Sequence, residues 1–287
     1  MSTTPSNTSI PSYAEIRERT LRVFERRACL WQCQVTQAIL KKQKDVVAVA
    51  PTGAGKTLSF WMPLLFRPTG KVVVITPLNI LGGQNERSLA RLGIKAISID
   101  SKTATPSNIQ AIEEGKFRVV IVNPEVALKK KGPFERLWKS TVFTSDLVSI
   151  VWDEAHCVSA WGSFRPEYAN AGWLRNIIPR HIPYLIPSAT LPPHVRRDVM
   201  DILQVQHEHT EYILRSNDRP NIHITVRKIR YPLVSFKDLD FLIPDGWDPG
   251  KGGKLPKFLV FFDRKADAIA AADHLRSRLP VEYRDRI

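Results

Sequence analysis

Eight residues early in the chain have the composition and spacing of a phosphate-binding loop: Ala50-Pro51-Thr52-Gly53-Ala54-Gly55-Lys56-Thr57. An apolar run at residues 46–49 precedes them and a helical stretch at residues 58–66 follows, which is the setting that such a loop requires. Small residues let backbone N–H groups turn toward phosphate oxygens, and the following helix N-terminus adds partial positive charge. We expect Lys56 to reach the β- and γ-phosphates and the Thr57 hydroxyl to ligate Mg²⁺. Ala50 stands where the strict pattern has glycine.

An acidic pair, Asp153 and Glu154, lies at the end of another apolar run, residues 147–151. A carboxylate at the C-terminal end of a buried strand, facing a phosphate-binding loop, is where ATPases hold Mg²⁺. Asp153 is expected to hold the metal, mostly through water, and Glu154 to polarise the water that attacks the γ-phosphate. An isolated Asp-Glu pair is more often a solvated loop end, so this interpretation depends on the loop around Lys56. Together the two segments predict ATP hydrolysis with Mg²⁺.

The sequence Asp153-Glu154-Ala155-His156 resembles the DEAH box of superfamily 2 helicases, and the resemblance places His156 among the catalytic residues. Residues 157–168 resemble the aromatic-rich loop that follows this box in RecQ DNA helicases. In that family the loop senses single-stranded DNA and couples it to ATP hydrolysis. Aromatic faces stack on bases and arginine binds phosphate, which suits this role. The DNA contacts that the resemblance implies in this loop are Trp161, Phe164, Arg165 and Tyr168.

Two features of this loop leave its role open. The stretch between Trp161 and Phe164 is one residue shorter than the family's usual pattern. The alternative is that its aromatic residues belong to the core at the start of a helix.

Other segments match RecQ helicases in the same order, from about residue 28 to the end of the chain. Motifs Ia and Ib of the family contact the DNA backbone, motif III links hydrolysis to domain movement, and further matches follow in the interlobe sequence and motif IV. The corresponding segments here are Ile75-Thr76-Pro77-Leu78 for Ia, Val122-Asn123-Pro124-Glu125 for Ib, Ser188-Ala189-Thr190 for III, Asp218-Arg219-Pro220-Asn221 for the interlobe sequence, and residues 258–262 for IV.

A glutamine of the segment Trp31-Gln32-Cys33-Gln34 occupies the place of the family's adenine-reading glutamine. An amide can pair with the N6 and N7 edge of adenine as donor and acceptor together. The spacing to Lys56 fits Gln34 best. Which glutamine reads the base stays open, as does the alternative that Gln34 is an exposed helical residue.

The elements that must position these residues follow from the apolar pattern. Short β-branched runs alternate with helical stretches, which predicts strands buried on both faces of a parallel sheet with right-handed crossovers. The pattern therefore predicts an α/β fold, a doubly wound parallel sheet at residues 13–214, and the resemblance implies that this sheet is of the RecA-like P-loop NTPase type. The predicted strands are residues 46–49, 72–75, 96–99, 119–122, 147–151 and 184–186.

The two ends of the chain differ from this region. Residues 1–12 are mostly Ser, Thr, Pro and Asn and predict a disordered tail. Residues 215–287 predict a linker, strands at 222–229 and 258–262 and a helix at 266–278, and the resemblance implies that they form a partial second RecA-like lobe. Motifs V and VI of the family, and its zinc-binding and winged-helix regions, have no counterpart, so we expect a fragment or truncated product.

Composition limits the class of protein. The chain has 42 Lys and Arg against 28 Asp and Glu, a net charge of +14, which suggests a polyanionic partner. Three cysteines are too few for a disulfide framework or a four-thiolate zinc site. No apolar run approaches the roughly 20 residues of a membrane span, and no secretory signal begins the chain. We expect an intracellular protein, nuclear in a eukaryote, of open oligomeric state.

The resemblance implies an ATP-dependent DNA helicase of the RecQ type that unwinds 3′ to 5′ in DNA repair and recombination, acting on single-stranded or forked DNA. The alternative is a module that binds ATP and nucleic acid with little helicase activity. An unrelated P-loop enzyme, such as a small-molecule kinase, fits the charge and the aromatic segment less well. A DEAH-type RNA helicase stays open as an alternative, although the segment from Trp161 to Tyr168 favours DNA.

Overall fold

Alternating side chains of one parallel sheet face two separate cores. A computed structural model describes residues 9–77, 79–160, 166–244, 246–247, 255 and 257–287. Contacts divide the chain into two compact units, Met1–Asp218 and Arg219–Ile287. The strands of the first unit are β1 (Asp45–Val49), β2 (Lys71–Ile75), β3 (Ala96–Ile99), β4 (Val119–Val122), β5 (Leu147–Trp152), β6 (Tyr184–Ser188) and β7 (Thr210–Leu214).

All the paired strands are parallel, in the order β3-β4-β2-β5-β6-β1-β7. Along β1, Val47 packs into one core and Val46 into the other, because successive side chains of a strand point to opposite faces. Helices cover both faces, so the predicted doubly wound α/β fold is confirmed. The α-helices of the first unit are α1 (Tyr13–Phe24), α2 (Leu30–Lys41), α3 (Lys56–Trp61), α4 (Asn79–Ala90), α5 (Pro106–Glu113), α6 (Pro124–Ala127), α7 (Pro133–Lys139), α8 (Thr141–Ser145), α9 (His156–Ala160), α10 (Pro166–Ala169), α11 (Trp173–Ile177) and α12 (Pro193–Ile202).

Strand β7 is the one strand of this sheet that the sequence did not predict. It lies at the sheet edge beside β1, and it mixes buried, partly buried and exposed residues instead of forming a continuous apolar run. A search for strands buried on both faces therefore misses it.

The N-terminal segment is ordered earlier than predicted. Residues 1–8 of the predicted tail lie outside the described residues, but Pro11 is buried and its carbonyl accepts a hydrogen bond from Gln37 at 2.6 Å. The Ser12 hydroxyl accepts the backbone N–H of Glu15, and the Glu15 carboxylate accepts the N–H of Ser12. This capping box satisfies two backbone donors at the start of α1.

The second unit contains one α-helix among its described residues, α13 (Lys265–Ser277), which packs Leu275 against a small core with Ile243 and Leu279. The predicted strands at 222–229 and 258–262 are wrong, since neither segment forms a strand or pairs with one. A strand needs a neighbour for its backbone groups, and the described part of this unit offers none. The chain also has short 3₁₀ helices at Met62–Phe66, His207–His209, Leu233–Ser235, Lys237–Leu242 and Val281–Arg286.

In the described parts of the chain no helix is both long and apolar enough to cross a membrane.

Candidate nucleotide site

The phosphate-binding loop connects β1 to α3 and depends on two glycines in the left-handed region. Gly53 has φ of 83° and Gly55 has φ of 81°, a conformation that side chains with a Cβ rarely adopt. A Cβ on Gly55 would lie 2.9 Å from Nε2 of Gln32, so helix α2 also closes on the loop there. The loop is therefore shaped by backbone conformation and by contact with α2.

Lys56 begins helix α3, where it directs a cation back into the loop. Its Nζ donates to the carbonyl of Ala50 at 3.2 Å, which holds the side chain across the loop. Thr57 follows with an exposed side chain, and Thr52 and Gly53 are exposed at the loop tip. The Lys56 cation, the Thr57 hydroxyl and the loop backbone thus lie together at the C-terminal end of β1, as the sequence predicts.

Asp153 follows β5 directly and sits opposite this loop. Burial, together with the neighbouring negative charge of Glu154, raises the pKa of its carboxyl to about 6. The N–H of Glu154, the Thr76 hydroxyl and the charge of Lys56 oppose this rise in pKa. Because the charge of Lys56 acts on Asp153, the cation and the carboxylate belong to one site.

Glu154 adopts an uncommon backbone conformation, with φ of 48°. A non-glycine residue in the left-handed region costs on the order of 1–2 kcal/mol and is held there by its surroundings. The N–H of Glu154 donates to Asp153 Oδ1 at 3.0 Å, and the N–H of Ala155 donates to the carbonyl of Pro187 at 3.2 Å. These bonds fix the turn that presents the Glu154 carboxylate.

His156 connects the carboxylates to the segment 188–190. Its Nδ1 lies 3.5 Å from Glu154 Oε2 and 3.1 Å from the Ser188 hydroxyl. The Ser188 hydroxyl donates to the carbonyl of Thr190 at 3.0 Å. The backbone carbonyl of Ser188 accepts the N–H of Ala50 at 3.2 Å. The predicted coupling segment Ser188-Ala189-Thr190 thus contacts both the DEAH box and the start of the phosphate-binding loop.

Four side chains that the resemblance places at DNA are instead buried inside the first unit. Thr76 donates to Asp153, and Asn123 accepts the N–H of Val126 at 3.1 Å as the N-cap of α6. Tyr168 is 1% exposed and packs in the core, as the alternative interpretation expects, and Pro77 is also buried. Each of these four side chains is enclosed by the fold, and their assignment to DNA stays a prediction. Trp161, Phe164 and Arg165 lie outside the described residues.

Gln32 is a site residue that the sequence did not single out. Its Nε2 donates to the carbonyl of Gly55 at 2.8 Å, and its Oε1 accepts the N–H of Cys29 at 2.8 Å. One side chain thus caps α2 and braces the phosphate-binding loop. The sequence signal was a glutamine three residues after a helix N-cap. Gln34, the predicted adenine reader, is half-buried on the same helix.

The described residues contain no group of three or more His, Cys, Asp or Glu that could hold a metal ion by themselves.

The chain is similar to helicases over most of its first unit. Residues 30–199 match the DEAD/DEAH box helicase family. The ATP-dependent DNA helicase Q-like SIM of Arabidopsis thaliana is 32% identical over 208 residues, which are 69% of this chain and 23% of that protein. The ATP-dependent DNA helicase Q5 of Mus musculus is 30% identical over 214 residues, 72% of this chain and 21% of that protein.

The match covers a larger share of one bacterial relative. The probable ATP-dependent DNA helicase RecS of Bacillus subtilis is 32% identical over 198 residues, 68% of this chain and 38% of that protein. The chain therefore spans between about a fifth and two fifths of the lengths of these relatives. Their names confirm the resemblance to RecQ helicases that the motifs indicate.

Solved structures show the same fold. The DUF1998 helicase MrfA bound to DNA and AMPPNP has a TM-score of 0.57 and 18% identity, and the similarity covers 82% of this chain and 34% of that one. At this identity the likeness bears on the fold alone.

Proposed function

Because the chain belongs to the DEAD/DEAH box helicase family, we propose that it is the ATP-hydrolysing part of a DNA helicase of the RecQ type. The observation that carries this proposal is that the Lys56 cation in the phosphate-binding loop is near enough to lower the pKa of Asp153, beside which Glu154 is held. The names of the similar proteins, which are ATP-dependent DNA helicases, support the choice of ATP and DNA.

The residues of the site fit Mg²⁺. The raised pKa of Asp153 means that its negative charge lacks full stabilisation, and a nearby cation would supply it. Thr57 offers an exposed hydroxyl from the other side of the site. When bound, Mg²⁺ neutralises charge on the β- and γ-phosphate oxygens. Thr57 and Asp153 are the residues that would hold it, the latter mostly through water.

The remaining chemistry belongs to the protein's own groups. Lys56 stabilises the charge that develops on the β- and γ-phosphates, and the N–H groups of the loop bind phosphate oxygens. Glu154 orients and polarises the attacking water, and its strained backbone fixes the position of its carboxylate. His156 bridges Glu154 and Ser188, so a change at the carboxylate reaches the segment 188–190.

Binding of a fluorescent ATP analogue tests this assignment. Lys56→Ala should abolish binding in the presence of Mg²⁺, because the loop loses its cation. Glu154→Gln should bind the analogue normally but fail to hydrolyse ATP. Lys44→Ala, an exposed lysine before β1, serves as the control and should behave as wild type. Equal affinities of wild type and Lys56→Ala would refute the site.

The finer parts of the proposal concern the substrate. The net charge of +14 supports a nucleic-acid partner, and the relatives' names favour DNA. We assign the chain to 3′-to-5′ unwinding in DNA repair and recombination, inside the cell and in the nucleus of a eukaryote. Unwinding of duplexes with a 3′ overhang, compared with matched 5′ overhangs, tests the direction in the full-length protein.

One observation favours the second candidate, an ATP- and nucleic-acid-binding module with little helicase activity. The described residues of the second unit form no β-strand, and Arg264, the arginine that follows its predicted motif IV, is engaged by Asp267 at 2.9 Å. Arginine fingers contribute roughly 10³–10⁵ in rate in related motors. A strand-displacement assay of the 287 residues on a forked duplex, with Glu154→Gln as control, separates the candidates. Robust unwinding that the control loses would exclude the second.

A further inference from the structure

A cavity of about 310 Å³ opens beside the loop that connects α11 to β6. This loop enters β6 at its N-terminal end, whereas the phosphate-binding loop leaves the neighbouring parallel strand β1 at its C-terminal end. A strand of five residues is about 16 Å long, so the cavity and the proposed nucleotide site lie at opposite edges of the sheet. The residues that line the cavity are Arg175, Ile178, Pro179, Arg180, His181 and Ile182.

Apolar side chains hold this loop in place at both of its ends. Ile178 and Ile182 are buried in the core of the first unit. Pro179 restricts the backbone after the first of them, because its ring fixes φ. Arg180 and His181 lie between these anchors and are exposed. The two polar side chains therefore stand on a loop whose position the core determines.

Positive charges gather at this edge without an anion to neutralise them. Arg180 forms no ion pair within the part of the chain that the structure describes. Partial burial lowers the pKa of Lys42, and the positive charges of Arg67 and Arg180 lower it as well. Asp146 opposes this change, but its carboxylate is engaged by Lys71 at 3.1 Å. Repulsion of this kind would be relieved by a bound anion.

Asp45, the acidic residue that begins β1, is already engaged on both of its oxygens. It accepts Arg175 at 2.5 Å and the N–H of Tyr184 at 2.7 Å. Burial lowers the pKa of His181, Asp45 opposes this change, and the positive charges of Arg175 and His209 add to it. The surroundings of His181 therefore disfavour a further positive charge, which a negative ligand would offset.

The backbone of the loop adds hydrogen-bond donors to these charges. The N–H groups of Arg180, His181 and Ile182 donate to no acceptor among the residues that the structure describes. Successive backbone N–H groups bind anions, and a guanidinium can give two parallel bonds to one phosphate group. A phosphate group offers three acceptor oxygens and about two negative charges, so it uses this set of donors more fully than a carboxylate does.

We propose that this cavity binds a phosphate group, with Arg180 as its main cation and the N–H groups of the loop as further donors. The site is separate from the proposed nucleotide site, and none of its residues belongs to the segments that match the family's motifs. The phosphate is either free or part of a nucleic-acid backbone, and its chemistry at the loop is the same in both cases.

The histidine ring signals in NMR spectra of the full chain test the proposal. Excess Mg²⁺ and a non-hydrolysable ATP analogue keep the phosphate-binding loop occupied, and His181→Gln identifies the His181 signal. Inorganic phosphate, added at constant ionic strength, should shift this signal until it saturates. Arg180→Ala should weaken the binding of phosphate about tenfold, because it removes hydrogen bonds from a charged group. The matched control Arg91→Ala, at an exposed arginine directly after α4, should respond as wild type, and both variants should bind the ATP analogue normally.

A DNA duplex with a single-stranded 3′ tail, titrated in the same way, identifies the source of the phosphate. If the duplex shifts the His181 signal at lower concentration than inorganic phosphate, and Arg180→Ala loses this response, the cavity binds a nucleic-acid backbone. If only inorganic phosphate shifts the signal, the ligand is a free anion. The proposal is overturned if neither ligand shifts the signal, if Arg180→Ala responds as wild type, or if Arg91→Ala loses as much affinity as Arg180→Ala.

Discussion

The hydroxyl of Thr76 lies 3.3 Å from Oδ2 of Asp153 and donates a hydrogen bond to it. The two residues follow the neighbouring parallel strands β2 and β5, and the N–H of Asp153 donates to the carbonyl of Ile75 at 2.9 Å. A threonine that the sequence placed at DNA therefore holds the carboxylate that we propose binds Mg²⁺. Its bond favours the ionised form of Asp153, which is the form that binds a cation.

Replacing this hydroxyl should weaken the metal site. Thr76→Val should require about tenfold more Mg²⁺ to bind an ATP analogue, because a hydrogen bond to a charged group contributes about 1.5–3 kcal/mol. Thr76→Ser keeps the hydroxyl and should resemble wild type. Affinity for single-stranded DNA should stay the same in both. If Thr76→Val instead loses DNA affinity and keeps the normal Mg²⁺ dependence, Thr76 contacts DNA rather than supporting the metal site.

The raised pKa of Asp153 predicts how stability depends on pH without metal. Between its ordinary pKa near 4 and its folded-state pKa of about 6, the folded protein keeps a proton that the unfolded chain has lost. The free energy of unfolding in EDTA should therefore fall as pH rises from 4 to 6, by up to about 3 kcal/mol from this group. Asp153→Asn should show a correspondingly flatter profile in urea denaturation. Parallel profiles would contradict the assigned pKa.

The two glutamines of α2 should have different effects on nucleotide binding. Gln32→Ala should weaken the binding of ATP and GTP analogues alike, by about tenfold, because the Gln32 side chain donates to the Gly55 carbonyl rather than to a base. Gln34→Ala should reduce only the preference for adenine. Thermal unfolding should show a loss for Gln32→Ala, which also removes the cap on the Cys29 N–H. If Gln32→Ala loses the preference for adenine and Gln34→Ala keeps it, Gln32 and not Gln34 reads the base.

How much of this could be read from the sequence depends on the kind of signal. Six strands were found because continuous β-branched runs are typical of strands buried on both faces, and β7 was missed because it mixes buried, partly buried and exposed residues. The loop at Lys56 and the carboxylates at 153–154 were found because both are local motifs. The strands at 222–229 and 258–262 were predicted from local propensity, but a strand also needs a partner, which propensity does not report.

Contacts between residues that are distant in the chain could not be predicted from the sequence. Gln32 is 23 positions from Gly55, and Thr76 is 77 positions from Asp153. Resemblance assigned Thr76 and Tyr168 to DNA from their position in a motif, whereas their burial follows from how the strands and helices pack. Only the folded chain shows which motif residues face outward.

The unpaired segments of the second unit should tolerate charge. Ile224 is 90% exposed and Val226 is 94% exposed. Ile224→Lys/Val226→Lys should therefore leave the free energy of unfolding within about 0.5 kcal/mol of wild type, as expected for exposed positions, and should reduce self-association at high concentration. Val47→Lys, at a buried position of β1, should unfold the first unit. A destabilisation by the double variant similar to that control would show that these side chains are packed in solution.

The side chain of Asn217 should hold the start of the linker against the segment 188–190. Its Nδ2 donates to the carbonyl of Ala189 at 2.5 Å, next to Ser188, which contacts His156. The N–H of Arg215 donates to the carbonyl of Val49 at 2.8 Å, so the linker begins beside the strand that enters the phosphate-binding loop. Two bonds thus connect residues 215–217 to the segment 188–190 and to the strand that enters the proposed nucleotide site.

Hydrogen exchange of the backbone amides at 215–219, measured with and without Mg²⁺ and an ATP analogue, tests this connection. In wild type the nucleotide should slow exchange there, because it orders the groups to which the linker is bonded. Asn217→Ala should exchange faster in both states and lose the nucleotide-dependent difference, while its affinity for the analogue stays near that of wild type. Asn221→Ala, an exposed asparagine four positions later, should keep the difference. If the bond is merely structural, Asn217→Ala will speed exchange equally with and without the nucleotide and keep the nucleotide-dependent difference. That result would exclude Asn217 from coupling the site to the linker.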